Sequence, residues 1–322
     1  MRFNIGITGT GSLIGQAVIK SIVRSENPDS YRLIGFDYFT KTVGSFSCAY
    51  NYILPDLLDK KVSTAEWLDT LLKYIKTERI SILFVGVDFE LPLLAKHKKE
   101  FKKIDCSVVI SSEEVINISS DKYLTYKFLK DNHLNCPISY LPHEDIENIS
   151  YPVIIKPREG ARSRDVYKVN SYKELSEKIP LIANPVIQEY IGDDMTEYTC
   201  GILFMDGELQ SSICLKRSLK EGNTFIAEHD RNTSEKINTY ISKVAYSLKP
   251  YGSINLQLRL DRNGDPKIFE INPRHSGTTY MRSLFGYHEV LFILKYILEN
   301  KKIKFDLKYG KVLRFYEEQV IQ

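Results

Sequence analysis

The chain has 322 residues, of which 43% are hydrophobic and 26% are charged, so it can bury a sizeable core and form two or three compact units. Its 44 basic residues against 41 acidic ones give a formal net charge of +3, and the basic residues are scattered, so we expect no nucleic-acid partner. No apolar run approaches the roughly 20 residues that cross a bilayer, and five cysteines without a CxxC pair are typical of reduced thiols. We therefore expect a cytoplasmic protein with no membrane partner and no zinc site.

The first predicted element is a strand that ends near Ile7 and enters a helix through a turn containing Gly9, Gly11 and Gly15. Asp37 ends the next apolar run, at the place where a ribose-binding acid stands in dinucleotide-binding proteins. This pattern is typical of the first half of a doubly wound α/β unit. Because the spacing is GxGxxxG rather than GxGxxG, a nicotinamide site and a purely structural turn both stay open at this point.

Short β-type runs alternate with helical patterns up to about residue 112, which predicts a parallel sheet with helices on both faces. After a predicted helix near residues 121–132 the pattern changes. Two hairpins are then predicted from the two-residue turns Asp206-Gly207 and Asn263-Gly264. The sequence therefore predicts a doubly wound α/β domain followed by a larger α+β unit rich in antiparallel strands.

The second predicted hairpin carries a set of polar side chains on one face. In INLQLRLD apolar and polar residues alternate, and a two-residue Asn-Gly turn places Gln257 opposite Glu270 and Asn255 opposite Asn272. The same register places Phe269 on the opposite, apolar face. Oxygen-bearing side chains on a rigid sheet face are what Mg²⁺ needs when it keeps waters and bridges to phosphates. The hairpin therefore predicts a magnesium site.

Arg274 follows these polar residues directly, at a position where it could meet an anion beside the metal. The alternative is that the hairpin has an ordinary solvated polar face. Such faces are usually dominated by Lys, Glu and Thr, whereas this strand ends in the polar loop EINPRHSG. For the set as a whole, the pattern favours the metal site.

Several stretches in chain order carry a family resemblance. A strand containing Gln precedes FEINPR, the stretches SSDKYLTYKFLKDNHLNCP, YPVIIKPREGARSRDV and VIQEYI lie upstream, and SGTTYMRSLFGYHE follows. In these motifs the chain resembles the ATP-grasp superfamily, in the branch similar to the large subunit of carbamoyl-phosphate synthetase. The resemblance implies a Rossmann-like doubly wound parallel sheet in residues 1–113, a small ATP-grasp subdomain with a phosphate loop in 114–186, and a C-terminal ATP-grasp subdomain with antiparallel strands in 187–322.

The resemblance also implies roles for individual residues. Lys122 and Lys156 would contact the ATP phosphates, and Lys156 would also lie near the adenine ring. Glu189 and the backbone of the two following residues would meet the adenine edge, and Glu197 would meet the ribose. The nucleotide-binding candidates are thus Lys122, Lys156, Arg164, Glu189, Tyr190, Ile191, Glu197 and Lys216. The Mg²⁺ candidates are Gln257, Glu270 and Asn272, and the catalytic candidates are Lys156 and Arg274.

Alternatives remain for two of these residues. Lys122 could be a solvated lysine at a helix start. Pairing across the Asp-Gly turn would place Glu197 opposite Lys216, and a surface ion pair of under about 1 kcal/mol would explain both residues. The predicted phosphate loop also departs from the family pattern, because Ala161 and Asp165 stand where glycine is usual.

The implied activity is a ligase that uses ATP and Mg²⁺ to activate a carboxylate as an acyl phosphate, which an amine then attacks. The implied partners are small-molecule carboxylate and amine substrates, and a homodimer is left open. Arg217, Arg274 and Arg282 are candidates for binding an anionic acceptor. A phosphotransferase without ligation and a non-catalytic nucleotide-binding subunit are the alternatives. With an ATP site predicted downstream, we expect the glycine turn to bind no dinucleotide, although it could hold an acceptor's carboxylate or phosphate.

Overall fold

The computed structural model describes residues 2–160, 165–193 and 196–318, and only the backbone of 232–234. Within these ranges the strands form three sheets that follow one another along the chain. None of the described helices is both long and apolar enough to cross a bilayer. The elements are numbered in chain order.

The first sheet is parallel. Its strands are β1 (Phe3–Thr8), β2 (Tyr31–Asp37), β3 (Tyr50–Ile53), β4 (Ile82–Phe84) and β5 (Ser107–Val109), in the order β3-β2-β1-β4-β5. The helices of this region are α1 (Leu13–Val23), α2 (Gly44–Ser47), α3 (Thr64–Glu78), α4 (Leu91–Lys96), α5 (Lys98–Lys102) and α6 (Glu113–Ser120). Ile5 and Ile34 are fully buried in two separate apolar clusters, as expected for a parallel sheet covered on both faces. The predicted doubly wound parallel sheet is confirmed.

The second sheet is small and antiparallel. Its strands are β6 (Ser139–Tyr140), β7 (Val153–Pro157), β8 (Tyr167–Val169) and β9 (Pro185–Glu189), in the order β6-β9-β7-β8. The helices of this region are α7 (Lys122–Asp131) and α8 (Tyr172–Lys178). Because β9 runs on to Glu189, this sheet extends past residue 186. The domain boundaries themselves stay a prediction.

The third sheet is larger and also antiparallel. Its strands are β10 (Glu197–Met205), β11 (Glu208–Lys220), β12 (Asn223–His229), β13 (Gly252–Leu260), β14 (Pro266–Asn272) and β15 (Gly310–Leu313), in the order β14-β13-β10-β11-β12-β15. The helices of this region are α9 (Arg231–Leu248), α10 (Thr279–Leu284) and α11 (Glu289–Glu299). Helix α9 packs on one face of the sheet through Ile241 and Val244, and α10 and α11 pack on the other through Met281 and Ile293. The predicted α+β unit with antiparallel strands is confirmed.

The first hairpin, β10–β11, has the predicted turn but not the predicted register at its far end. Asp206 and Gly207 both have positive φ, at 50° and 83°, as a type I′ turn requires. A β-bulge at Gln210 in β11 then shifts the pairing, so that Tyr198 rather than Glu197 lies opposite Lys216. The predicted pairing of Glu197 with Lys216 is therefore wrong by one residue.

The second hairpin, β13–β14, has the predicted register but not the predicted turn. Its loop closes between Asp261 and Asp265, where the Asp261 N–H donates to the Asp265 carbonyl at 2.9 Å, so three residues rather than two lie at the centre. A β-bulge at Phe269 adds one residue to β14 and cancels this offset. Gln257 therefore lies opposite Glu270, and the predicted pair of asparagines further along the ladder is also observed.

The glycine turn between β1 and α1 is filled by the protein's own groups. Gly9 has a φ of 54°, and a Cβ at Gly15 would lie 2.3 Å from the Gly9 carbonyl oxygen, so helix α1 packs directly on the turn. The buried Asp37 carboxylate accepts the Gly11 N–H at 2.6 Å and the Thr10 hydroxyl at 2.8 Å. These contacts favour the structural interpretation of the turn, because Asp37 already occupies a backbone donor that an anion would use.

Candidate active site

A cavity of about 1130 Å³ is lined by residues of the second and third sheets, and Leu58 and Phe89 from the N-terminal region also reach it. Its volume slightly exceeds the range typical of ligand sites, roughly 300 to 1000 Å³. The sequence-predicted residues that line it are Lys122, Lys156, Glu189, Tyr190, Ile191, Glu197, Gln257 and Glu270. The fold therefore brings most of the predicted site residues to one cavity.

The bulge in β14 brings an aromatic ring into this cavity. Ile268 is 1% exposed and belongs to the same core cluster as Leu258, whereas Phe269 and Glu270 both line the cavity. The predicted position of Phe269 on the apolar face is therefore wrong, because a bulged residue shifts the alternation of the strand by one. The Lys156 ammonium lies 5.4 Å from the centroid of the Phe269 ring.

Lys156 is a buried cation on the rigid strand β7. Its side chain is 6% exposed, and its Nζ donates to Gln188 Oε1 at 2.8 Å. The Gln188 amide nitrogen in turn donates to Ser139 Oγ at 2.9 Å, which fixes the orientation of the amide. Burial, and after it the charge of Lys122, lowers the pKa of Lys156 to about 7. An anion that enters the cavity would therefore stabilise the charged form of Lys156.

Lys122 is the first residue of α7, directly after the N-cap Asp121. Its Nζ donates to the carbonyls of Arg158 at 3.3 Å and Gly160 at 3.2 Å, at the start of the predicted phosphate loop. Asp121 accepts from the Arg158 guanidinium at 3.1 and 2.5 Å, which ties the helix start to strand β7. Lys122 therefore lines the cavity beside Lys156 rather than lying alone on a solvated helix end.

The predicted phosphate loop lies partly outside the described residues. Arg164 and Ala161 lie outside the described residues. The flanking residues Glu159, Gly160 and Asp165 line the cavity, and Asp165 has a φ of 54°. The nucleotide-binding role of Arg164 stays a prediction.

The predicted adenine-binding segment follows strand β9 along the cavity. Glu189 accepts the Ile138 N–H at 3.1 Å and lies 3.4 Å from the Lys267 ammonium. The Lys168 ammonium lies 3.9 Å from the centroid of the Tyr190 ring. The carbonyl of Ile191 accepts from Arg259 at 3.4 Å. These contacts hold the segment along the cavity wall.

Glu197 is held between two arginines. It accepts from Arg217 at 2.9 and 2.5 Å and from Arg259 at 2.9 and 2.7 Å. Burial alone would raise the pKa of Glu197, but the charges and hydrogen bonds of the two guanidinium groups outweigh burial and hold the pKa below its ordinary value. The predicted ion pair at this position therefore exists, but Arg217 replaces Lys216. Of these two neighbours on β11, Arg217 lines the cavity, and Lys216 is not among the described lining residues.

The three predicted magnesium ligands lie next to one another across the β13–β14 ladder. Asn272 Nδ2 donates to Glu270 Oε1 at 2.9 Å, and Arg217 donates to Gln257 Oε1 at 2.9 Å. One carboxylate and two amide oxygens are hard donors of the kind Mg²⁺ uses, with waters and phosphate oxygens as its other ligands. Among the residues described, no three His, Cys, Asp or Glu side chains are grouped to hold a metal. One carboxylate and two amide oxygens leave positions for waters and phosphate oxygens, so the three residues fit Mg²⁺ that arrives with a nucleotide.

Two other residues expected near the cleft are instead buried further along the same sheet face, beneath helices α10 and α11. Asn255 is 2% exposed and accepts from Thr199 Oγ at 2.8 Å and from the guanidinium of Arg282. Arg282 is fully buried and forms an ion pair of 3.3 Å with Glu289, which is also fully buried. Asn255 therefore shares the face of Gln257 as predicted, but α10 and α11 cover this end of the face. The prediction that Arg282 binds an acceptor is wrong, because its guanidinium is buried against Glu289.

Removing the charge of Glu289 should destabilise the fold strongly. In Glu289→Leu, Arg282 would stay buried without its counter-ion, which typically costs about 3–5 kcal/mol. Equilibrium urea unfolding should show a lower midpoint with an unchanged slope. Glu299→Leu on the same helix, where the partner Lys301 is exposed, is the matched control and should change stability by less than about 1 kcal/mol. Equal effects of the two variants would contradict a structural role for the buried pair.

The two remaining acceptor candidates also have acidic partners. Arg217 pairs with Glu197, as described above. Arg274 donates from Nε to Asp88 Oδ1 at 2.7 Å and from Nη2 to Asp88 Oδ2 at 3.0 Å, and its Nη2 also donates to Asn272 Oδ1 at 3.0 Å. The catalytic role of Arg274 stays a prediction.

Comparison with known proteins identifies the fold around this cavity. Residues 119–278 match the family model described as an ATP-grasp domain. The chain contains an ATP-grasp domain. The domain spans the region from the start of α7 to the loop after β14, and so includes every described residue of the cavity except Leu58 and Phe89. The predicted superfamily is confirmed, and the carbamoyl-phosphate synthetase branch stays a prediction.

Ligases are among the proteins that are similar to this chain. A coenzyme γ-F420-2:α-L-glutamate ligase of Methanococcus maripaludis is 34% identical over 196 residues, covering 54% of this chain and 65% of the relative. A D-alanine–D-alanine ligase of Fusobacterium nucleatum is 31% identical over 123 residues, covering 35% of this chain and 42% of the relative. The chain thus spans less than two thirds of either relative. The L-amino acid ligase of Bacillus licheniformis superposes with a TM-score of 0.71 at 18% identity, covering 92% of this chain and 74% of that one, and so confirms the fold.

Several contacts at the ATP-grasp site were not predicted from the sequence. The alternation in INLQLRLD places Arg259 among the polar residues, but nothing in the pattern indicates that it pairs with Glu197. The alternation of β14 predicts the wrong face for Phe269, because a β-bulge has no clear signature in a single sequence. The partner of Arg274, Asp88, lies 186 residues away and in another sheet region, so only the folded chain reveals it.

Proposed function

We propose that the protein is an ATP- and Mg²⁺-dependent ligase that activates a carboxylate as an acyl phosphate for attack by an amine. The observation that carries this proposal is that two lysines, Lys122 and Lys156, line one cavity together with the oxygen donors Gln257 and Glu270 of the β13–β14 hairpin. The relatives support it, since their names identify ligases that act on glutamate, D-alanine and L-amino acids. ATP and Mg²⁺ are accordingly the proposed cofactors.

The nucleotide would lie along the wall formed by residues 189–191. Backbone groups next to β9 can meet the polar edge of adenine, and the Phe269 ring offers an apolar surface for the purine. The phosphates would then extend toward Lys122 and Lys156. A lysine is a compact charge that suits phosphate, and both lysines are fixed on rigid elements.

Glu197 would act mainly through its two arginines. Each of its carboxylate oxygens already accepts hydrogen bonds from a guanidinium group, so a ribose hydroxyl would have to share them. In this arrangement Glu197 orients Arg217 and Arg259 toward the cavity, and the three side chains keep a net positive charge. We therefore propose that this triad supports phosphate binding in addition to any ribose contact.

In the proposed reaction, a carboxylate oxygen of the acid attacks the γ-phosphorus of ATP, and the bond from that phosphorus to the β–γ bridging oxygen breaks to release ADP. The amine then attacks the acyl carbon, inorganic phosphate leaves, and the amine loses a proton. Mg²⁺ bound at Gln257, Glu270 and Asn272 would neutralise charge on the phosphates. Lys122 and Lys156 stabilise the same developing charge, so no side-chain nucleophile is needed.

Ligand-dependent stabilisation tests the nucleotide site directly. ATP with Mg²⁺ should raise the melting temperature, because a ligand at a hundredfold excess over its Kd stabilises the native state by about 2.7 kcal/mol. NADH and NADPH should give no shift, since Asp37 occupies the glycine turn. A shift with NADPH and none with ATP would refute the proposal.

Product analysis distinguishes ligation from simple phosphoryl transfer. Candidate amino acids and other small carboxylic acids would be incubated with ATP and Mg²⁺, with and without amines, and ADP and products would be measured. A ligase should form an amide only when both an acid and an amine are present. ADP release that gives a stable phosphorylated acid whatever amine is added would instead support the phosphotransferase.

The substrate size, the assembly, the location and the domain boundaries of the chain are proposed as well. Small-molecule substrates follow from the dimensions of the cavity. A homodimer and a cytoplasmic location stay predictions, which sedimentation analysis and cell fractionation would test. Limited proteolysis would test the proposed domain boundaries after residues 113 and 186.

A further inference from the structure

The ion pair between Asp88 and Arg274 joins the N-terminal region to the candidate metal site. The pair is bidentate: Arg274 Nε donates to Asp88 Oδ1 at 2.7 Å, and Nη2 donates to Oδ2 at 3.0 Å. The Arg274 side chain is 11% exposed and that of Asp88 is 47% exposed. Nothing in the sequence pattern or in the relatives' names assigns a role to Asp88.

Asp88 is held in place by its neighbours in the turn Asp88–Glu90. Glu90 is fully buried, where its carboxylate accepts from the hydroxyl of Tyr38 at 2.7 Å and from that of Thr8. Phe89 lines the nucleotide cavity. The turn is therefore anchored on one side and faces the site on the other, so the position of the Asp88 carboxylate is determined by the fold of the N-terminal region.

Arg274 creates an electrostatic difficulty for a metal at this site. Its Nη2 donates to Asn272 Oδ1 at 3.0 Å, and that oxygen is one of the three proposed Mg²⁺ ligands. A guanidinium and a dication that share one oxygen repel each other, and the repulsion is larger in a partly buried site than in water. A carboxylate paired with the guanidinium offsets this repulsion.

We propose that Asp88 is a positioning residue for the metal site: it neutralises Arg274 and holds it so that Asn272 can bind Mg²⁺ beside it. The inference rests on the proposed function, because it assumes the metal site on the β13–β14 hairpin. Arg274 also donates to the carbonyl of His275 at 3.0 Å, so the guanidinium links Asp88 both to Asn272 and to the loop that follows β14. The N-terminal region thereby completes a site whose ligands all lie in the ATP-grasp domain.

The test uses the full chain with a non-hydrolysable ATP analogue, and measures analogue binding calorimetrically as Mg²⁺ is varied. Asp88→Asn keeps the shape of the side chain but removes its charge. The Mg²⁺ concentration for half-maximal binding should rise at least about tenfold, as is typical when a group that supports a metal ligand is lost. Glu317→Gln breaks another inter-element pair, an exposed one of 2.7 Å with Arg24, and should leave the Mg²⁺ dependence unchanged.

Two further variants test the charge argument. Arg274→Met removes the repelling cation, so it should not raise the required Mg²⁺ concentration. The double variant Asp88→Asn with Arg274→Met should therefore recover most of the Mg²⁺ affinity lost in the single Asp88 variant. Failure of the double variant to recover, or a lower melting temperature of Asp88→Asn with unchanged Mg²⁺ dependence, would overturn the proposal.

A separate variant distinguishes failure of this inference from failure of the proposed function. If Glu270→Gln weakens the Mg²⁺ dependence of binding but Asp88→Asn leaves the Mg²⁺ concentration for half-maximal binding unchanged, the metal site stands and the role of Asp88 is wrong. If neither variant changes it, the metal is not bound at this hairpin and both proposals fall.

Discussion

Replacing Lys156 with methionine is expected to lower ATP-dependent turnover by about 10²–10³-fold, the cost typical of losing one fixed group that stabilises transition-state charge. The lysine is almost fully buried and already has a low pKa, so methionine fills nearly the same space without the cost of burying a cation. The fold should therefore survive, with a melting temperature equal to or above that of the parent chain. Turnover would be measured as ADP release, and calorimetry would report nucleotide affinity.

The pH dependence of nucleotide binding gives an independent test of the same residue. With a pKa of about 7, Lys156 is largely neutral above pH 7 in the free protein, whereas phosphate favours its ammonium form. Nucleotide binding should then take up a proton, and affinity should fall by up to about tenfold for each pH unit above 7. Below the pKa, Lys156 is already charged and this contribution to the pH dependence disappears.

Lys156→Arg is the matched control for this pH profile. Arginine keeps its charge throughout the range, so the variant should lose the fall in affinity above pH 7 even if it binds less tightly. The Kd of a non-hydrolysable ATP analogue would be measured at about pH 7, 8 and 9 with saturating Mg²⁺. Identical profiles for the variant and the parent chain would show that Lys156 does not titrate in response to the nucleotide.

The two hairpins show what the sequence could and could not predict. Alternation of apolar and polar residues predicts β13 closely, because side chains of a strand point to opposite faces, whereas the first hairpin is predicted from its turn. Turn chemistry was correct for Asp206-Gly207 and wrong for the Asn-Gly turn. The second hairpin nevertheless kept its predicted register because a longer loop and a bulge cancel each other. Bulges have no clear sequence signature, so the face of Phe269 could not be predicted.

Contacts between distant parts of the chain are the second feature that the sequence does not predict. The sequence pattern does not predict strand β12, strand β15 or helix α9, although each packs on the third sheet or pairs within it. Charged residues were assigned to the site by type, and the structure shows that Arg282 is buried while Arg217 lines the cavity. Which of the two arginines faces the cavity depends on how helices from distant parts of the chain pack on the sheet. No local pattern in a single sequence predicts that packing.

Replacing Glu270 with glutamine tests the metal site at its one carboxylate. Glutamine keeps the shape and an oxygen that can still accept from Asn272 Nδ2, but it removes the charge that holds a hard dication. The core side of the hairpin, with Leu256, Leu258 and Ile271, is untouched. Stability should therefore change by no more than about 0.5 kcal/mol, as for most surface substitutions.

The same variant should lose activity and Mg²⁺ dependence together. Turnover should fall at least as far as the roughly 10- to 100-fold quoted for groups that only support a metal ligand, because Glu270 would contact the metal itself. Nucleotide affinity should become less sensitive to Mg²⁺, measured by calorimetry across a Mg²⁺ series. Glu208→Gln, at an exposed position with a long 3.7 Å ion pair, is the control and should match the parent chain. An active Glu270→Gln variant with normal Mg²⁺ dependence would leave the hairpin as a solvated polar face, and the case for phosphoryl transfer would then rest on the two lysines alone.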